Sequence, residues 1–337
     1  MKKTILVLLI LGLMIIPVGT ALAWGPHTHT KIAEDLFERQ NSDTLAWIGS
    51  NEDYKSAFLA GSMLPDITVA YYFSEGRTKY RATHNWNFQE RLMAQAGDDP
   101  YKMAFAYGVA AHLVADSVSH TGLIPLRIQQ YGIPNWLIHP LTEKKYDSLL
   151  ALEYEGLKDR SKHMMDAILT GPRKDELITM VENALGTNSG IDVEENLIRL
   201  GYALDSFYDE GGKRPAGGGV FAIYPVIDEL TDWVYPLSTG SMGEVDMYYL
   251  RTLEQCENVY NNWDSRKSLS PHGFEEIGDA EKGTLDVFQF VFFAYLFLMF
   301  ALPLFLMWWR RDPRFLIFVP VMFFIMVIIM AIIYILI

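Results

Sequence analysis

The stretch AFAYGVAAHLVADSVSHTG, residues 104–122, places His112, Asp116 and His120 at successive intervals of four. On a helix that spacing sets them along one stripe, with about 40° of drift per step. The positions around them are mostly Ala, Val and Leu, so three titratable groups would enter an apolar interior, which is costly unless charge and hydrogen bonds compensate. A divalent ion supplies both, and neutral imidazole with carboxylate is a ligand set that suits zinc. Six of the eight histidines fall between His27 and His139. In HPLTEKKYD, His139 and Glu143 would share a helical face, with Asp147 one turn on as a substitute for Glu143; Pro140 equally fits a helix start with Glu143 as an ordinary first-turn acid. Asp66 in AGSMLPDI and His84 in ATHNWNF are further candidate ligands from less regular places.

The beginning of the chain offers another ligand. Lys2 and Lys3, the apolar run Ile5–Val18 and Ala21-Leu22-Ala23 have the order of a signal peptide, predicted over residues 1–23; an uncleaved anchor helix is the alternative. Cleavage after Ala23 would expose the α-amino group of Trp24, a good nitrogen ligand once deprotonated, and the carbonyl of the same residue can close a chelate with it. His29 could complete that site after export.

The elements that must position these groups read as helices. Ile32, Leu36 and Phe37, and then Met103, Ala106, Tyr107, Ala110, Ala111 and Val114, recur at helical spacing, as do the apolar residues of 176–185 and 194–208. Only short pieces such as Val220–Tyr224 resemble strands. GGKRPAGGG (211–219) and YPLSTGSMG (235–243) read as loops, and SLSPHGFEEIGDAEKG (268–283) as a polar linker in which His272 is solvated. The expectation is an all-α fold: a helical bundle over residues 24–283 around a multinuclear metal site, followed by a C-terminal two-helix transmembrane hairpin. Residues 287–309 and 315–337 are each long and apolar enough to cross a bilayer core of about 30 Å. The arginines of the 310–314 turn place that turn in the cytoplasm, which sends the bundle outside the cell membrane.

The net charge of −13 argues against non-specific capture of nucleic acid, although it does not exclude a nuclease. The single Cys256 rules out an intramolecular disulfide and reads as a buried small hydrophobe. Tyr71, Tyr72 and Phe73, or Trp86 and Phe88, either line a lipid-binding mouth or belong to the core.

WGPHTH, GSMLPD, THNWNF and HLVADSVSH, in this order, resemble the zinc-dependent phospholipase C family, which shares its fold with the S1/P1 single-strand nucleases. The resemblance covers residues 24–150. It implies up to three zinc ions: one held by Asp66, His84, His112 and Asp116, a second by His120, His139 and Glu143, and a third by Trp24, His29 and a bridging Asp116, with His27 as the alternative to His29. His120 follows Asp116 by four residues, whereas the secreted bacterial enzymes and the nucleases have six. The shorter spacing is similar to the glycosylphosphatidylinositol-specific phospholipase D branch.

The implied chemistry is an in-line attack of water on a phosphodiester, with zinc neutralising the substrate and lowering the water's pKa, and with Asp66 ordering or deprotonating that water. A membrane tether favours a phospholipid substrate by holding the site near the bilayer at high effective concentration. An S1/P1-type nuclease or nucleotidase is the alternative, for which nucleic acid would need aromatic stacking platforms. A non-catalytic envelope protein with a structural metal cluster is another. Oligomeric state is not legible.

Overall fold

Helical spacing is realised throughout the residues that the computed structural model describes, namely 25–39, 41–68, 79, 81–131, 142–143, 146–147, 150, 153–187, 189–206 and 239–271. All of them lie in one unit of the chain, Ile16–Glu276. In chain order the elements are α1 (Pro26–Arg39), α2 (Asp43–Gly49), α3 (Glu52–Gly61), a 3-10 turn (Leu64–Thr68), α4 (Trp86–Ala96), α5 (Pro100–Val118), a π turn (Ser119–Leu123), α6 (Ile124–Tyr131), α7 (Leu157–Thr170), α8 (Lys174–Leu185), α9 (Val193–Ser206), α10 (Thr239–Asn261) and a second 3-10 turn (Trp263–Ser268). No strand occurs among the described residues, as an all-α fold requires. Several expectations lie outside the described residues: the leader 1–23, Trp24, Tyr71–Phe73, His139, Val220–Tyr224, His272, and the segments 287–309, 310–314 and 315–337. Among the described residues no helix is long and apolar enough to cross a membrane.

The helix starts depend on side chains that accept otherwise unpaired amide protons. Ser42, Asn51, Asn85 and Asp99 cap α2, α3, α4 and α5 in this way, each contributing about 1 kcal/mol. Pro100 adds a preset backbone angle to the first position of α5. Apart from Tyr107, every residue of α5 from Ala104 to Val118 is buried, the mark of a helix enclosed on all sides. Its neighbours are α3, α4 and α10.

Two glycines make the central crossing possible. A Cβ on Gly61 would stand 2.0 Å from the Phe105 carbonyl oxygen, and one on Gly108 would stand 1.9 Å from the Phe58 carbonyl oxygen. The backbones of α3 and α5 are therefore in direct contact, which fixes the 3-10 turn after α3 against α5. Gly108→Ala is expected to destabilise the fold by about 3 kcal/mol, because the clash is with backbone that no rotamer change relieves. A urea unfolding midpoint equal to that of the wild type would contradict this.

Two sequence expectations need correction, and one open reading is decided. Residues 239–243, read as part of a loop, are the first turn of α10; the packed stretch behind them carries the helix back through Gly240 and Gly243 at a cost of about 1 kcal/mol each. Of the two readings of Trp86 and Phe88, the core one holds for Phe88, which is fully buried, while the half-buried Trp86 donates its indole N–H to the Leu269 carbonyl at 2.9 Å. The polar linker predicted from 268 begins with residues packed on the bundle, Pro271 being buried. Cys256 is buried as expected, with Sγ 3.8 Å from the Ala111 carbonyl oxygen.

Candidate metal centre

Four elements deliver side chains to one buried point. α5 contributes His112 and Asp116, one turn apart. The 3-10 turn after the α3–α5 crossing contributes Asp66. Asn85 caps α4 through the Phe88 amide at 2.8 Å, which leaves His84 immediately outside the helix. The first turn of α1 contributes His29. All five side chains are buried, none more than 3 % exposed.

Their ligand atoms converge. His29 Nε2 lies 3.4 Å from Asp116 Oδ1 and His112 Nε2 lies 3.3 Å from Asp116 Oδ2. His84 Nε2 is 3.6 Å from Asp66 Oδ1 and 3.7 Å from Asp116 Oδ2, and His112 Nε2 is 3.8 Å from Asp66 Oδ1. Two ligand atoms bound to one tetrahedral zinc at its usual bond lengths are about 3.3 Å apart. Two overlapping sets, His29–His112–Asp116 and Asp66–His84–His112, each bring their ligand atoms within 4.8 Å of one another. The Nε2 atoms of His29 and His112 and all four carboxylate oxygens of Asp66 and Asp116 are buried without a hydrogen-bond partner. Leaving so many buried polar atoms unsatisfied is strongly unfavourable, and a divalent cation among them removes the penalty. These residues fit zinc.

The other ring nitrogens are held by acceptors. His112 Nδ1 donates to the Ser62 carbonyl at 2.8 Å and His120 Nδ1 to the Pro271 carbonyl at 2.5 Å. A carbonyl can only accept, so the proton sits on Nδ1 and the Nε2 lone pair is available to a metal. His84 Nδ1 lies 3.1 Å from the Thr83 hydroxyl, which in turn bonds the Pro65 carbonyl at 2.8 Å.

Charge is distributed accordingly. Burial disfavours a charged His112, yet the adjacent Asp116 and Asp66 carboxylates outweigh burial and raise its pKa to about 9. Burial also opposes ionisation of Asp116, but His112 and His29 hold its carboxyl well below the ordinary range. His29, stacked on His112 with ring centroids 3.7 Å apart, is lowered by burial and then by the His112 charge. Burial lowers His120 as well, against the pull of Asp116.

The remaining sequence candidates divide. His120 is buried within electrostatic reach of Asp116, His84 and His112 but belongs to neither convergent set. It sits in the π turn, whose wide register is closed by the Ile124 amide on the Ser119 carbonyl; such turns recur at functional sites. Glu143 is buried and likewise outside both sets. His27, the alternative to His29, bonds Ser161 Oγ through Nδ1 at 2.9 Å, whereas His29 is the one beside Asp116. Asp147 is engaged as the cap of α1: it accepts the Thr28 amide at 2.6 Å, the Thr28 hydroxyl at 2.9 Å and the His27 amide at 3.3 Å. Its carboxylate occupies the space that a Cβ on Gly25 would need. Sequence reasoning weighed Asp147 only as a ligand and missed the carbonyls of Ser62 and Pro271; backbone acceptors carry no signal in residue type.

No curated protein and no solved structure matches the chain. The family model for zinc dependent phospholipase C matches residues 28–185, a stretch that contains His29, Asp66, His84, His112, Asp116, His120, His139 and Glu143. With a buried His/Asp cluster of the right chemistry at its centre, the chain is similar over that stretch to the zinc-dependent phospholipase C family.

Proposed function

We propose that this protein is a zinc-dependent phosphodiesterase that hydrolyses phospholipids in the manner of a phospholipase C, and that residues 1–23 and the hairpin 287–337 export it and anchor it with its helical domain, 24–283, outside the cell membrane. The observation that carries the reading is the set of buried, partnerless ligand atoms of His29, Asp66, His112 and Asp116 at the edge spacing of a zinc tetrahedron. His84 joins this set, and Trp24, His120, His139 and Glu143 complete a centre of up to three ions.

Zinc bound there supplies Lewis acidity toward the phosphodiester and lowers the pKa of water. The chain's own groups do the rest. Asp116 faces three imidazoles, and one of them, His112, is shared by the two convergent sets. Asp66, with both oxygens free of hydrogen bonds, is placed to accept a proton from water or to complete the ligand shell. The Ser62 and Pro271 carbonyls keep His112 and His120 in the tautomer that presents Nε2.

The test uses the full chain, zinc-loaded, with mixed phospholipid vesicles and with single-stranded nucleic acid, each with a chelator arm. Chelator-sensitive release of diacylglycerol or its ether equivalent is expected. Phosphatidic acid instead would assign D-type cleavage, and cleavage of nucleic acid alone would assign the nuclease activity. Zinc-loaded protein inactive on both substrates would make the cluster structural.

A further inference from the structure

We infer that residues 263–271 form a strap that sets the ring of His120 through the Pro271 carbonyl, and that Trp86 is the positioning residue that holds the strap in register. The inference rests on the zinc reading above and extends it to a segment beyond the family-matched stretch 28–185.

The strap is fastened along its length. At its start the Trp263 ring meets Tyr107 of α5 edge-on, with centroids 5.5 Å apart. Arg266, only 7 % exposed, donates to Glu90 of α4 at 2.5 Å and to the Trp263 carbonyl at 2.8 Å, and its guanidinium lies 4.8 Å from the Trp263 ring centre. Next comes the Trp86 indole N–H on the Leu269 carbonyl at 2.9 Å, and two residues later the His120 bond to the Pro271 carbonyl. The strap thus ties α4, whose start adjoins His84, to the middle of the ligand-bearing helix at Tyr107 and to the π turn that follows it.

A backbone carbonyl orients a ligand only as well as its own segment is held. Without the Trp86 bond, the Leu269 carbonyl loses its partner and the turn before Pro271 is held only by the Leu269 side chain on the core, the Leu269 amide on the Arg266 carbonyl and, five residues before Pro271, the Arg266 bond to Glu90. Loss of a partner that orients a metal-binding imidazole costs about ten- to a hundredfold in metal affinity. Trp86 touches no candidate ligand in these contacts, so its effect passes through Leu269–Pro271.

The experiment compares wild type, Trp86→Phe and Tyr260→Phe in the full chain, reading zinc affinity by competition with a chelating dye and the visible spectrum of the cobalt(II)-substituted protein. Tyr260→Phe removes a bond of similar length, 2.9 Å, from the Tyr107 carbonyl on the same helix, and serves as the control for general loss of stability. Trp86→Phe is expected to weaken the binding of at least one ion about ten- to a hundredfold and to shift the cobalt bands, while Tyr260→Phe changes neither. Glu90→Gln, at a half-exposed side chain, loosens the same strap with less risk to folding and should give a smaller shift in the same direction. Wild-type affinity and spectrum in both Trp86→Phe and Glu90→Gln would overturn the strap, as would equal losses in Trp86→Phe and Tyr260→Phe. A wild-type chain that binds no zinc would instead refute the zinc reading itself.

Discussion

Asp116→Asn will leave the bundle folded and remove metal from its centre. The substitution keeps the shape of a fully buried side chain while deleting the charge that faces His29, His84 and His112. Of the two carboxylates in the convergent sets, Asp116 is the one within 4 Å of all three imidazoles. Its loss should therefore disturb both sets rather than one. Groups that merely orient a metal ligand cost about ten- to a hundredfold when removed, so hydrolysis should fall by at least about a hundredfold, with zinc content falling alongside. Elemental analysis of the purified variant and diacylglycerol release from vesicles are the measurements. Full zinc occupancy with wild-type hydrolysis would take Asp116 out of the centre.

The second large effect concerns the protein stripped of metal. In that state His112 has a folded pKa of about 9 against about 6.5 in the unfolded chain. Its contribution to stability is complete below pH 6.5 and is lost as the pH rises through 9, a change on the order of 3 kcal/mol. Asp116, His29 and His120, whose folded values are all lowered, add nothing to the slope over this window. The lowered Asp116 contributes fully at any pH above the ordinary carboxylate range. The lowered His29 opposes folding only where the unfolded chain gains a proton, below about 6.5. The thermal midpoint of chelated protein should therefore fall between pH 6.5 and 9. Zinc-loaded protein should show the opposite slope, because the ion displaces the His112 proton and binds more tightly as protons become scarce. Parallel pH profiles with and without chelator would contradict the assignment of His112 to the centre.

Residue order made legible whatever the sequence repeats or caps. The central helix was legible because small apolar residues surround a polar stripe, and enclosure of α5 is the physical meaning of that pattern. His29 was legible through its offset from the predicted mature terminus, and it does stand beside Asp116. The start of α10 was not legible, since Thr-Gly-Ser-Met-Gly has loop composition and becomes helical only because the rest of α10, through Asn261, is packed on the bundle. The role of Asp147 was hidden for a different reason. Its spacing from Glu143 suggests a shared helical face, while its partners, the amides of His27 and Thr28, lie more than a hundred residues away in sequence. The orienting carbonyls were invisible because every residue has one. Phe88 was open to either reading because an aromatic side chain suits a core and a lipid-binding mouth alike, and the Asn85 cap turns the chain so that Phe88 points into the core.

The wide turn at Ser119–Leu123 bears on how this centre can change over generations. A π turn holds one residue more than the helix around it needs, so gain or loss of a residue there is absorbed locally instead of breaking the rod. Deleting Thr121 would let the turn close in α-helical register with the buried Arg127 of α6 kept on its present face, whereas the same deletion within α5 would rotate everything downstream by about 100°. Upstream, His112 and Asp116 would not move. The lineage can therefore try different lengths between its central aspartate and the histidines beyond it while the first half of the cluster stays intact, and variation in that spacing among relatives is the trace such trials would leave.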